Sequence, residues 1–91
     1  MQSFPLTLDF TEAERTIASL CALSQPDDKA QFGICLQAPE TNSEDVLFGA
    51  CGATVGILAP GKNLLLPVKD AKSMSIGRPS DNTLELIVHL V

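Results

Sequence analysis

The sequence contains no tryptophan and no tyrosine, and its only aromatic residues are four phenylalanines. Sites that bind sugars or single-stranded nucleic acid usually need aromatic faces on which the ligand stacks. Two of the four, Phe32 and Phe48, alternate with apolar neighbours, and this pattern is typical of core residues. The scarcity of aromatic side chains therefore weighs against both classes of ligand.

Positive charge is also scarce, because six Lys and Arg stand against eleven Asp and Glu and give a net charge of −5. An acidic protein is repelled by phosphate backbones, so we expect no direct binding to nucleic acid. No apolar run approaches the roughly 18–20 residues of a membrane span. The first twelve residues lack the basic and apolar regions of a signal peptide. We therefore expect a protein that is made in the cytoplasm and does not act at a membrane.

Groups that carry catalysis or bind metals are few. His89 is the only histidine, and the three cysteines form neither a CxxC pair nor an even disulfide set, so we interpret the cysteines as small buried hydrophobes. The adjacent acids at 27–28 and 44–45 lack the alternating spacing of a calcium loop, and we interpret them as solvated loop charges. No serine lies in a GxSxG elbow. The sequence predicts no enzyme, no cofactor and no metal site.

One segment resembles a nucleotide-binding loop. Residues 56–63 approach the pattern GxxxxGK[ST], but Asn63 stands where the pattern requires a hydroxyl, and the residues that follow predict a strand where the pattern requires a helix. Pro60 and Gly61 suit the two central positions of a type II turn. We therefore predict a turn here and no phosphate site.

Turn signals divide the chain into short apolar pieces, which is typical of a small β-sandwich or barrel. Residues of alternating character predict strands at 4–8, 32–38, 46–48, 64–68, 74–76 and 84–90, and residues 57–58 lead into the Pro60-Gly61 turn. Pro67 would remove a hydrogen bond from a sheet, so we expect it on an edge or at a strand end. The predicted fold is mainly β, an antiparallel β-sandwich or jelly-roll-like barrel, with a strand or arm at 1–10 and a single β domain at 11–91.

Residues 11–23 are compatible with either a helix or a strand. Thr11 and Glu14 have capping-box spacing, and Ala13, Ile17 and Leu20 fit one face of a helix. Residues 18, 20 and 22 also alternate as in a strand. The pattern leaves both structures open.

From residue 31 onward the order of strands and turns resembles that of small β-rich structural proteins of tailed bacteriophages. The shared features are a strand at 32–38, a turn with Asn42, a strand ending in Gly49, the Pro60-Gly61 turn, an apolar strand at 64–68 and a closing segment at 82–88. The resemblance implies a virion protein of the capsid decoration or cement kind, located on the capsid surface. Its implied partners are the major capsid protein or other virion proteins, and its implied state is a dimer or trimer. Another phage component (tail, baseplate or head fibre) and a cytosolic β-sandwich binding module are the alternatives.

Candidate partner contacts come from three parts of the sequence. They are the N-terminal arm, the second face of the last strand and a local basic cluster, with the residues Phe4, Leu6, Leu8, Ile87, His89, Lys69, Lys72 and Arg78. The arm is expected to add a strand to the sheet edge of a neighbour. The alternative is that the arm and Ile87 close the protein's own sandwich. For the basic cluster the alternative is a solvated face.

Overall fold

Eight strands and one short helix make up the described part of the computed structural model, which covers residues 2–25, 27–50, 53–80 and 83–91, with the backbone alone at 50 and 53–55. In chain order they are β1 (Gln2–Leu8), β2 (Glu14–Thr16), α1 (Ile17–Leu20), β3 (Ile34–Gln37), β4 (Val46–Ala50), β5 (Ala53–Leu58), β6 (Asn63–Leu66), β7 (Met74–Gly77) and β8 (Leu84–Leu90).

The strands form two four-stranded antiparallel sheets. Sheet A has the order β1-β8-β3-β6, and sheet B has the order β2-β7-β4-β5. Side chains alternate between the faces of a strand, and β8 shows this clearly, because Leu84, Leu86, Val88 and Leu90 are all buried while the residues between them are not. The prediction of a mainly β, sandwich-like fold is confirmed.

The core consists of the inner faces of both sheets. Ile34 and Leu36 from sheet A and Val46 and Ile76 from sheet B belong to one cluster of buried apolar residues. Each has 1% or less of its surface exposed, so burial of apolar area is the main stabilising contribution here.

The connection from β5 to β6 is the predicted type II turn. Gly61 has φ +80°, and the backbone N–H of Lys62 donates to the carbonyl oxygen of Ala59 at 3.1 Å. Strand β6 follows directly, so the helix that a phosphate-binding loop requires does not form. Strand β6 ends at Leu66, immediately before Pro67, as predicted for that proline, and Val68 therefore lies outside the strand.

Both expected structures occur within residues 11–23. Strand β2 pairs with β7, and α1 follows it with Thr16 as its N-cap, where the Thr16 hydroxyl accepts a 3.1 Å hydrogen bond from the Ser19 N–H. The predicted capping box of Thr11 and Glu14 is wrong, because Glu14 belongs to a strand. Thr16 was the capping residue that the spacing argument missed.

The prediction of a core position was right for Phe48 and wrong for Phe32. Phe48 is 6% exposed, whereas Phe32 is 69% exposed. The backbone N–H groups of Phe32 and Gly33 both donate to the carbonyl oxygen of Val91, at 2.6 and 3.1 Å. Since consecutive residues of a regular strand point their N–H groups to opposite sides, this shared acceptor shows that the chain bends before β3 and breaks the alternation.

Candidate partner-binding face

The outer face of sheet A carries two complete rows of side chains, each with one residue from every strand. The rows are Ser3, His89, Cys35, Leu65 and Pro5, Ile87, Gln37, Asn63. We call these eight residues the neutral face, because none of them is Asp, Glu, Lys or Arg although 19% of the chain is charged. Glu85, two residues before Ile87 on the same side of β8, is exposed, so the charge-free area is limited to these two rows. A solvated sheet face normally carries charges, whereas the centre of a protein interface is depleted of them. This composition makes the neutral face the candidate site.

His89 lies within the neutral face and links three strands. The Ser3 hydroxyl donates to His89 Nδ1 over 2.7 Å, and His89 Nε2–H donates to the Gln37 side-chain oxygen over 3.1 Å. Both ring nitrogens are therefore engaged by β1 and β3, so burying this face leaves the ring's polar atoms satisfied. A serine beside a histidine is also found in nucleophilic sites, but here it lies on an open sheet face.

The outer face of sheet B has a different composition. Leu47 and Ile57 pair across β4 and β5, and Ile57 is 62% exposed. Glu14 lies on the same face, because it pairs with Gly77, and a Cβ on Gly77 would contact Leu47. This face is therefore apolar near β5 and charged near β2, and Ile57 is a matched reference for Leu65, which is 60% exposed on the neutral face.

Three surface grooves in the described part of the chain have volumes of about 290, 250 and 230 Å³. Pockets that bury small molecules typically enclose roughly 300–1,000 Å³ and are mostly apolar. The first groove is lined by Asp9, Phe10, Arg78 and neighbouring residues, the second by Lys29 and Ala30 among others, and the third by Pro5 and Leu6 among others. All three volumes lie at or below the lower end of that range.

The predicted contacts of the N-terminal arm lie on the protein's own core. Strand β1 pairs along its whole length with β8. Leu8 has no exposed surface, and Phe4 and Leu6 pack partly buried against the core cluster. Of the two arrangements considered for the arm, the structure has the one in which it closes the chain's own sandwich. Ile87 and His89, in contrast, lie on the neutral face.

The three basic residues do not form one cluster. Lys72 precedes β7 and Arg78 follows it, so they lie beyond opposite ends of that strand. Arg78 NH1 is 3.5 Å from the carbonyl oxygen of Thr11, while Lys72 pairs with Asp28. Lys69 is exposed, and its carbonyl oxygen accepts a 2.6 Å hydrogen bond from Ala30.

Asp28 corrects the interpretation of the 27–28 pair as solvated charges. Asp27 is exposed, but the side chain of Asp28 has no exposed surface. Its Oδ2 is 3.2 Å from Lys72 Nζ, and its Oδ1 is 4.0 Å from Lys29 Nζ. Neither carboxylate oxygen accepts a hydrogen bond of ordinary geometry from the described residues, so the ammonium groups are its main compensation.

Asp28, Lys29, Asp70 and Lys72 form what we call the charged cluster. Lys29 and Asp70 are joined by an isolated β-bridge and by a 2.7 Å contact between Nζ and Oδ2. This hydrogen bond lowers the pKa of Asp70, with a further contribution from the Lys72 N–H, and raises the pKa of Lys29. Sequence spacing gave no sign of the charged cluster, because its halves are about forty residues apart.

We expect the Lys29–Asp70 pair to make stability depend on pH at both extremes. The lowered pKa of Asp70 contributes stability above its unfolded value, about 3.9, which is lost as the pH falls through the folded value. The raised pKa of Lys29 contributes stability below about 10.4, which is lost at higher pH. In urea titrations, Asp70→Asn should therefore lower the midpoint at pH 6 and converge with the parent protein once the pH falls below the lowered pKa of Asp70. The exposed Asp45→Asn is the control, and an effect of Asp70→Asn that is independent of pH would contradict the expectation.

Cys21 and Cys35 form no disulfide, and Cys51 lies outside the described residues. Cys21 packs partly buried against the core, and burial raises the pKa of its thiol to about 11. Cys35 lies on the neutral face and is partly exposed. The interpretation of the cysteines as small buried hydrophobes therefore fits Cys21 better than Cys35, because the side chain of Cys35 lies on an outer sheet face.

The raised pKa predicts that Cys21 reacts slowly. At pH 8 a thiol with a pKa of 11 has about 100-fold less thiolate than one with a pKa of 9. Alkylation with iodoacetamide, followed residue by residue with mass spectrometry, should be roughly 100-fold slower at Cys21 in folded protein than in urea. Equal rates in the two conditions would contradict the burial of this thiol.

The described residues also bear on metal binding and on membrane spans. Within those residues no group of three or more His, Cys, Asp or Glu is placed to hold a metal ion. None of their helices has the length and apolar character needed to span a membrane.

Sequence reasoning identified two of the eight residues of the neutral face, Ile87 and His89. The others were missed because a row across a sheet depends on strand order and register, which periodicity within one strand does not contain. The absence of charge at alternate positions of β3 and β6 was the available signal. No protein-family model, characterised protein or solved structure significantly matches this chain.

Proposed function

We propose that this chain is a bacteriophage virion structural protein, of the capsid decoration or cement kind, that attaches by its neutral face to proteins of the assembled head. The observation that carries the proposal is the pair of uncharged rows across the four strands of sheet A, on a small acidic sandwich. The order of strands and turns described above supplies the biological setting. Tail, baseplate and head-fibre roles would use the same kind of face, and density for an intact virion would distinguish them.

The physical mechanism is selective binding to the assembled shell. A protein that binds the lattice and has little affinity for free subunits stabilises the lattice by mass action. Each bound copy adds its own contribution, so the stabilisation of the shell grows with the number of occupied sites. The small size of the neutral face suits this mode, since an individual contact need not be strong.

The small grooves agree with this mechanism. A binding module for small molecules would need an apolar pocket with convergent polar groups, and these three grooves lie at or below the lower end of the usual size. The exposed residues of the neutral face, including Leu65 and Asn63, are instead spread over a surface. We therefore expect the partner protein to recognise the shape of this surface.

Co-sedimentation with capsid shells that lack this protein tests the proposal. We expect saturable binding with a fixed ratio of copies to capsid subunits, and at least tenfold weaker binding for Leu65→Lys, because a charge would be buried at the contact. Ile57→Lys, at equal exposure on sheet B, should bind as the parent does. Absence of saturable binding, together with absence of the protein from purified virions, would refute the proposal.

A further inference from the structure

The third groove lies at one side of the neutral face. Pro5 and Ile87 are cross-strand partners within that face, and the next pair on the same side of the two strands is Thr7 with Glu85. Because side chains alternate along a strand, all four lie on the outer side of sheet A. Pro39, two residues beyond the end of β3, also lines the groove, whose volume is about 230 Å³.

The lining of the third groove is mostly apolar and is held in place by the fold. Its apolar members are Pro5, Leu6, Pro39, Leu86 and Ile87. Two of these are prolines, whose rings lose almost no rotamer freedom when they are covered. Beside them, the Asn42 side chain makes 2.8 Å hydrogen bonds to both backbone groups of Glu85. A groove that is already formed costs little ordering when it binds, and its volume suits a single side chain better than a whole small-molecule ligand.

Charge distinguishes this groove from the other two. The first groove is lined by both Asp9 and Arg78, and the second by both Asp27 and Lys29. The third has Glu85 as its one charged lining residue. Glu85 is exposed, and its carboxylate makes no ion pair with any residue that the structure describes. On a chain with a net charge of −5, this unopposed carboxylate attracts a cation and repels an anion at the groove.

From this combination we infer that the third groove holds an apolar side chain of the partner protein that stands beside a lysine or arginine, whose cation pairs with the Glu85 carboxylate. The inference rests on the proposed function, because it names the chemistry that the partner presents at the proposed site. An apolar anchor in a pocket commonly contributes most of the affinity of an interface, while the surrounding contacts exclude water. The neutral face would supply those surrounding contacts, with Glu85 at their rim.

NMR titration of the isotope-labelled protein with two capped dipeptides, acetyl-Leu-Lys-amide and acetyl-Leu-Glu-amide, tests the groove without the partner. We expect the Leu-Lys peptide to shift the amide signals of Thr7 and Ile87 saturably, with a Kd of roughly 1–10 mM, as is reasonable for so small a ligand. The Leu-Glu peptide should bind at least about threefold more weakly, because its charge is repelled. Glu85→Gln should abolish this preference, and Ile87→Ala should weaken both peptides. Glu12→Gln removes the same charge at an exposed position outside the groove and should keep the preference.

Absence of saturable shifts around the groove at about 50 mM peptide, several times the weakest expected Kd, would overturn the inference. Equal affinity of the parent protein for the two peptides would also overturn it, because the groove would then accept any apolar group.

Co-sedimentation with capsid shells separates the inference from the proposed function. If Leu65→Lys weakens binding to shells and Glu85→Lys leaves it unchanged, the proposed function stands and the inference is wrong. If no shells bind but the preference between the peptides depends on Glu85, the specificity of the groove stands and the proposed function is wrong. Weaker binding of both variants to shells, together with the preference for the Leu-Lys peptide, would support both.

Discussion

Replacing Lys72 with methionine is expected to lower the free energy of unfolding by about 2–4 kcal/mol, which overlaps the lower part of the roughly 3–5 kcal/mol range for removing one partner of a buried ion pair. The reason is that Asp28 is fully buried and Lys72 Nζ, at 3.2 Å, is its nearest cation. Methionine keeps the aliphatic part of the side chain and removes only the ammonium group. The half-exposed position of Lys72 places the expected loss toward the lower part of the range for fully buried pairs. Urea unfolding followed by circular dichroism gives the measurement.

Two companion variants separate the ion pair from a general loss of charge. Lys69→Met removes an exposed lysine near the charged cluster and should change stability by less than about 0.5 kcal/mol. Asp28→Asn in the Lys72→Met background should recover at least half of the loss, because no uncompensated carboxylate remains. A Lys72→Met variant as stable as Lys69→Met would show that the buried carboxylate does not depend on Lys72.

The charged cluster has a clear structural role in this fold. It joins the loop at 27–30 to the loop at 69–72, where Ala71 N–H also donates to the Asp28 carbonyl oxygen at 2.8 Å. The Ala71 carbonyl oxygen in turn accepts from Ala18 N–H in α1. The short helix, too short to be stable alone, is thus held through the same pair of loops.

Periodicity in the sequence predicted the strands well where burial is one-sided. Strand β8 has a buried residue at every second position, and its predicted and observed limits coincide. The Pro60-Gly61 turn was also predicted, because the conformations of proline and glycine depend little on the rest of the chain.

Features that depend on contacts between distant segments were not predictable in this way. Phe32 continues the alternation of β3 in the sequence, yet the hydrogen bonds to Val91 bend the chain there and leave its ring exposed. Asp28 resembles any acidic turn residue until the loop containing Lys72 is placed against it. The neutral face was also not predictable, because its rows form only when β1, β3 and β6 take their places beside β8 in sheet A.

The second prediction concerns Asn42, whose side chain makes the two hydrogen bonds to the β8 backbone that a neighbouring strand would otherwise make. Strand β3 ends at Gln37, and beyond it the Asn42 amide donates to the Glu85 carbonyl oxygen and accepts from the Glu85 N–H, both at 2.8 Å. Asn42 itself is 9% exposed. The side chain thus satisfies both backbone groups of a β8 residue that has no strand partner on that side.

Asn42→Ala is therefore expected to lower the free energy of unfolding by about 2–3 kcal/mol, the loss of two hydrogen bonds and the cost of leaving their partners unsatisfied. Asn42→Asp keeps the acceptor for the Glu85 N–H and loses the donor, so it separates the two bonds. Asn63→Ala, on an exposed position of β6, is the matched control. Hydrogen exchange gives a local readout, in which the Glu85 amide should exchange faster in Asn42→Ala and remain protected in Asn42→Asp. Unchanged protection of that amide in Asn42→Ala would show that β8 does not need the side chain, and that the Asn-containing turn serves only to reverse the chain.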